Sequence, residues 1–186
     1  MHWLLERIFE RQNPSKAGHL WGRRKMKNGK FIPFARLDAL CRKLRSEGKT
    51  IVTTNGVFDL LHVGHVRYLK SAKALGDILI VGVNSDRSAR ALKGGNRPIV
   101  PEMERAEVLC GLEDVDYVCI FGGNLPSELI AKARPAFHVK GGDYSPSSLP
   151  ETPLVRKYGG QVRIVPFNKG HSTTSLIRKI SKTSPK

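Results

Sequence analysis

The stretch Thr53–Asp77, TTNGVFDLLHVGHVRYLKSAKALGD, decides the fold. It continues a short apolar run, Ile51–Thr54, and passes into a helix-like stretch at Val66–Leu75. Between the two lies a turn holding Gly56, Gly64 and two imidazoles, His62 and His65. A short strand that turns at once into a helix begins a βαβ unit. The alternation then recurs. Apolar runs fall at Ile78–Val83, Val115–Phe121, Ala136–Val139 and Val162–Pro166, with helix-like stretches at Glu102–Leu112, Ser127–Ala133, Thr152–Tyr158 and Thr173–Ile180. Pro101 before EMERAEVL, Pro126 before SELIAKA and HSTT before SLIRKI are helix-start signals. The pattern predicts an α/β fold, a single doubly wound, Rossmann-like five-stranded parallel sheet with helices on both faces.

Upstream, Ala35–Lys49 reads as an amphipathic helix ended by Gly48, with Leu37, Leu40, Cys41 and Leu44 on one face. Residues 12–32 read as a polar, basic linker. Trp3, Leu4, Leu5, Ile8 and Phe9 give the N-terminus an apolar helical face too short to be stable alone. The chain therefore divides into an N-terminal extension, 1–34, and one folded domain, 35–186.

The charge is uneven. Of a net +16, +9 lies in residues 1–50, most densely in RRKMKNGK at Arg23–Lys30. Such a run can engage nucleic acid or anionic lipid, or draw polyphosphates, and a solvated or polyphosphate-attracting arm is the preferred reading. No apolar run approaches the roughly 18 residues of a membrane helix. Glu6, Arg7, Glu10 and Arg11 stand where an export signal would be apolar, and the three cysteines form no CxxC pair. The expectation is a cytoplasmic protein with reduced thiols.

Ligands of open α/β sheets sit outside the carboxyl ends of the strands. The loops expected there read NGVFDLLHVGH, NSDRSARALKGGNRPI, KGGDYSP and FNKGHSTT. They bring Lys93, Arg97, Lys140, glycine backbone and a Ser-Thr-Thr at a helix start, all suited to phosphate. A metal reading of His-x-x-His lacks a third ligand, since no Cys/His cluster accompanies it. A merely structural pair is the other alternative. The functional reading is that both imidazoles donate to phosphate oxygens from the first helical turn, where fixed donors lower the barrier to phosphoryl or nucleotidyl transfer.

These residues resemble a known family. GVFDLLHVGH with the later GHSTT is similar to the cytidylyltransferase-like nucleotidyltransferases, whose hallmark is His-x-Gly-His. The ordered series TNGVFDLLHVGHVRYL, LGDILIVGVNSD, LKGGNRPI, ERAEVL, VDYV, VKGGDY and STT most resembles the D-glycero-β-D-manno-heptose 1-phosphate adenylyltransferases. These make ADP-heptose for lipopolysaccharide. The resemblance implies that Val57 and Phe58 line the nucleotide site and that His62 and His65 bind its phosphates. Lys93 would neutralise the reacting phosphates, and Gly170, Ser172, Thr173 and Thr174 would hold base and phosphates at the last helix. Asp143 is assigned to nucleotide or substrate, and Arg97, Lys140 and Gly141 to the sugar phosphate. Asp59 and Arg105 are expected to hold the first loop and a helix in place. No metal ligand is assigned in the chain, and Mg²⁺ is expected mainly on the nucleotide phosphates. A homodimer is expected, as is a separate kinase to supply the sugar 1-phosphate, because the kinase often fused to this activity is absent from the sequence.

The runner-up is a cytidylyltransferase acting on a polyol phosphate such as glycerol 3-phosphate; a nucleic-acid-binding module ranks below it. Glycerol-phosphate cytidylyltransferases carry Pro-Arg-Thr-x-Gly in the last loop, whereas this chain has Phe167 after Pro166. Cytosine offers a carbonyl that a guanidinium can bind; adenine has none and gains from an aromatic surface. Phe167 therefore speaks for ATP.

Overall fold

The computed structural model describes residues 29–143, 145–166 and 173–183. The apolar N-terminal face, most of the basic run, and Phe167, Gly170 and Ser172 lie outside the described residues. Five parallel strands form one sheet: β1 (Ile51–Gly56), β2 (Ile78–Asn84), β3 (Tyr117–Phe121), β4 (Phe137–Gly141) and β5 (Gln161–Val165), in the order β3-β2-β1-β4-β5. Seven α-helices accompany them among the described residues: α1 (Leu37–Ser46), α2 (Val63–Lys73), α3 (Asp86–Lys93), α4 (Glu102–Cys110), α5 (Ser127–Ala133), α6 (Thr152–Lys157) and α7 (Thr173–Thr183).

Strand alternation sends neighbouring residues to opposite faces. On one face, Val52, Leu79, Val81 and Val83 pack with Leu69 and Ala72 of α2 and Ala106 and Leu109 of α4. On the other, Ile51, Ile80 and Cys119 meet Leu37, Cys41 and Leu44 of α1 and Leu129 and Ala133 of α5. Gly82 belongs to this second face: a Cβ there would lie 2.5 Å from the Leu129 side chain, so glycine is what lets α5 approach the sheet. The three cysteines are buried, and burial pushes the Cys41 and Cys110 thiols up to about 11 and Cys119 to about 12. They pack as small apolar groups.

Two elements differ from the sequence reading. Asp86–Lys93, read as loop, is a helix started by Ser85, whose Oγ accepts from Ser88 N. Its inward face carries only Ser88 and Ala89, too little apolar periodicity to mark it in the sequence. Residues 30–32, read as linker, run along the outer edge of β3: Phe31 bridges Val118, and Ile32 N donates to Val118 O at 2.8 Å. Among the described residues no helix is long and apolar enough to cross a membrane.

Candidate active site

The chain runs from β1 outward to β2 and β3, then returns to the other side of β1 for β4 and β5. The connections leaving β1 and β4 therefore diverge at the carboxyl edge and open a crevice there, the place where such sheets bind ligands.

His62 occupies the N-cap of α2 with extended backbone, and His65 lies in the first turn. The His62 backbone N–H donates to His65 Nδ1 at 3.3 Å. The rings stack with centroids 4.0 Å apart, and His65 also meets the Phe58 ring at 5.5 Å. With Nδ1 acting as acceptor, the neutral His65 ring carries its proton on Nε2. Burial, and secondarily the neighbouring His62, hold its pKa down to about 4, so near pH 7 it is a neutral N–H donor. Phe58 itself is buried, in left-handed backbone (φ 49) that a phenylalanine rarely adopts. Its ring covers Gly56, where a Cβ would lie 3.0 Å from it. The described geometry thus makes Phe58 a support for His65 and the end of β1.

Buried polar residues hold this loop. Asp59 accepts from Ile99 N at 2.8 Å and Val100 N at 2.9 Å, and pairs with Arg97. Arg97, expected on the sugar phosphate, is thereby placed against Asp59, where it ties down the chain that follows Lys93. Arg105, fully buried, donates to Val57 O, to Val100 O at 2.8 Å and to Asn84 O at 2.9 Å, and pairs with Asp86 at 2.7 Å. One guanidinium thus joins the loop after β1, the end of β2, the start of α3 and the segment before α4. Tyr68, which the sequence reading passed over, shares a 2.6 Å hydrogen bond with Thr54 Oγ1 and donates to Val139 O at 2.9 Å, fastening α2 to β1 and β4. It lies one residue before Leu69, inside a segment that reads as plain amphipathic helix.

Lys140, at the end of β4, reaches Asn55 Oδ1 at 3.1 Å and Glu151 at 3.2 Å. Gly141 ends the same strand, and Asp143 lies exposed two residues beyond it. Thr173 opens α7 and donates to Leu60 O at 3.2 Å, so the last helix starts beside the histidine loop. Lys93 is exposed at the end of α3. Of Thr174 only the helical backbone is described. His62, His65, Val57, Phe58 and Thr173 are gathered around one loop, and Lys140 and Gly141 end the neighbouring strand; Lys93 stands further out along α3.

Beneath the crevice His138 is fully buried, its Nδ1 2.8 Å from Thr53 Oγ1. Burial, then the charge of Lys140, push its pKa down to about 3. The Glu151 carboxylate lies farther from this ring, at 3.9 Å from Nε2, than from Lys140 Nζ, at 3.2 Å. Both His65 and His138 bind protons less readily folded than unfolded, where imidazole titrates near about 6.5. Stability is therefore full above that value and is lost as pH falls through the window down to about 4 for His65 and about 3 for His138. We expect His138 alone to remove about 2 kcal/mol between pH 7.5 and pH 5.0. Urea unfolding at the two pH values checks this: His138→Asn should shrink the difference, and an unchanged difference would refute the assignment.

An open parallel sheet with a histidine pair at the helix start after β1, and phosphate-suited groups around its carboxyl edge, defines a nucleotide-handling α/β domain. The cytidylyltransferase-like family model matches residues 53–179, and the chain belongs to that family. It is 50% identical over 136 residues to the bifunctional protein HldE of Trichlorobacter lovleyi, covering 73% of this chain and 28% of that protein. The corresponding protein of Geobacter metallireducens is 51% identical over 147 residues, covering 77% and 30%, and that of Nitratiruptor 46% over 158 residues, covering 84% and 33%. The chain thus spans about a third of the length of these relatives. A crystal structure of the lipopolysaccharide core biosynthesis protein from Thermoplasma volcanium aligns with TM-score 0.55 at 31% identity, over 67% of this chain and 100% of that one.

Proposed function

We propose that the chain is a nucleotidyltransferase that joins ATP and a heptose 1-phosphate to give ADP-heptose and pyrophosphate. The observation that carries this reading is the stacked His62–His65 pair at the start of α2, one ring a neutral donor, at the carboxyl edge of β1. The match to bifunctional HldE proteins over one part of their length supports it, as does the fold shared with a lipopolysaccharide core biosynthesis protein.

The acceptor phosphate needs no general base, since a phosphate monoester loses its second proton near about pH 6. One of its oxygens attacks the α-phosphorus in line. The new P–O bond forms as the bond to the β-phosphate bridging oxygen breaks, and pyrophosphate leaves with that electron pair. Charge spreads over non-bridging oxygens, and His62 and His65 meet it with N–H groups fixed before reaction. Lys93 closes on the reacting phosphates, and Lys140 and Gly141 hold the sugar phosphate at the end of β4. Asp143 and the Gly170–Thr174 segment complete the nucleotide side.

Among the described residues no group of three or more His, Cys, Asp or Glu could hold a metal ion. The reading has Mg²⁺ carried in on the nucleotide phosphates, since that ion keeps most of its water and takes few protein ligands. When bound it supplies charge neutralisation to the leaving phosphates. A homodimer, a cytoplasmic site of action and a separate sugar kinase belong to the same proposal.

The decisive experiment is pyrophosphate release with each of the four nucleotides against a panel of sugar and polyol phosphates. Phe167 in place of the cytidylyltransferase arginine leads us to expect ATP over CTP by at least about tenfold in kcat/KM, a gap of about 1.4 kcal/mol. Equal or better use of CTP would overturn the adenylyl assignment and favour the polyol-phosphate reading.

A further inference from the structure

Thr53 and Asn55 point to one face of β1, and the register pairs Thr53 with His138 on β4. Two residues on, toward the crevice, Lys140 meets Asn55. The two strands thus carry a polar ladder along one face of the sheet, from a buried Thr53–His138 contact up to an ammonium at the carboxyl edge. The ladder is closed from the side by Glu151, the residue that precedes α6.

Glu151 is only 4% exposed. Its Oε1 lies 3.2 Å from Lys140 Nζ and 3.9 Å from His138 Nε2. His138 Nδ1 shares its hydrogen bond with Thr53 Oγ1, and the other ring nitrogen, Nε2, faces that carboxylate beyond hydrogen-bond distance. A carboxylate withdrawn from water this far is strongly disfavoured unless a charge compensates it. Lys140 is the cation in contact with it.

We propose that Glu151 is a positioning residue for the sugar-phosphate pocket: it holds the Lys140 ammonium against the β1–β4 edge, aimed at the incoming phosphate. The inference rests on the reading of Lys140 as a substrate-binding residue given above. A free lysine head samples many rotamers on a flexible stem, and ordering it on each binding event costs affinity. Here Asn55 takes one of its three N–H groups and Glu151 lies against its charge, so the head is held before substrate arrives. Donor capacity remains for a phosphate oxygen. Because Lys140 stays in this position throughout, its contribution is the same in ground and transition states. It therefore appears in KM for the acceptor rather than in kcat.

The test is a double-mutant cycle with Glu151→Gln, Lys140→Gln and the pair, read by steady-state pyrophosphate release from ATP and heptose 1-phosphate. Glu151→Gln is expected to raise the acceptor KM about tenfold, leave kcat within about threefold and leave the KM for ATP unchanged. In the Lys140→Gln background the same change should add nothing, because the group it positions is gone. A purely structural role would lower activity equally in both backgrounds, and that result overturns the proposal. So does a normal acceptor KM in Glu151→Gln when Lys140→Gln alone raises it. A Lys140→Gln variant with normal acceptor KM would instead refute the reading of Lys140, and this inference with it. Absence of turnover in the unmodified chain would refute the functional reading itself. Should Glu151→Gln fail to fold, Glu151→Asp withdraws the carboxylate by one methylene while keeping its charge, and carries the same comparison.

Discussion

Replacing His65 with alanine is expected to lower kcat by about 10²- to 10³-fold, the scale on which a lost transition-state donor is felt. The ring is oriented before substrate arrives: Nδ1 accepts the His62 backbone N–H, one face stacks on His62, and Phe58 stands behind it. Alanine removes the Nε2–H and leaves the fold with one fewer helix-start hydrogen bond, a loss of about 1 kcal/mol. His62→Ala is expected to fall in the same range. The double variant should cost less than the product of the two, because the rings orient each other. The pH dependence adds a second check. With a pKa of about 4 in the free protein, His65 should give no ionisation step in kcat/KM between pH 5 and pH 8. A step near about 6 belongs to the substrate's own phosphate. A variant lacking either imidazole that retains near-normal turnover would remove the pair from the chemistry.

Replacing Arg105 with methionine is expected to cost about 2–4 kcal/mol of unfolding free energy, mainly from carbonyls left without their donor, since the Asp86 carboxylate keeps partial contact with water. The side chain has 0% exposure, and without it the carbonyls of Val57, Asn84 and Val100 and the carboxylate of Asp86 lose their shared donor. In a chain of this size each kcal/mol lowers Tm by roughly 2–4 °C. Arg105→Lys keeps the charge but not the planar fork, and one ammonium cannot reach groups on so many sides. Its stability should fall between the other two. Activity should drop with stability in both variants, because Val57 and Val100 border the loops that carry the histidines and follow Lys93. Denaturant unfolding decides the matter: a loss below about 1 kcal/mol in Arg105→Met would mean water replaces the guanidinium.

Much of this protein was readable in the chain itself. The five strands and the helices Ser127–Ala133 and Thr152–Lys157 lie within two residues of their expected bounds, because fully buried parallel strands require continuous apolar runs and their helices need a 3.6-residue stripe. The helix Asp86–Lys93 escaped, since it buries too little to leave a stripe. For the site, the histidines were legible because a glycine-flanked turn between strand and helix leaves little structural need for two imidazoles.

What only tertiary structure decided is which side chains meet across the sheet. No spacing in the sequence relates Glu151 to Lys140, Tyr68 to Val139, or Arg97 to Asp59. The first two contacts follow from the reversal at β1 that sets β4 beside it, and the third from a buried carboxylate's need for a partner where β1 and β2 lie side by side. Local pattern determined the layers and the edge where ligands bind. Packing determined that His65 is a neutral donor, that Arg97 faces Asp59, and that Lys140 meets a carboxylate that stands just before a helix nothing in the motifs points to.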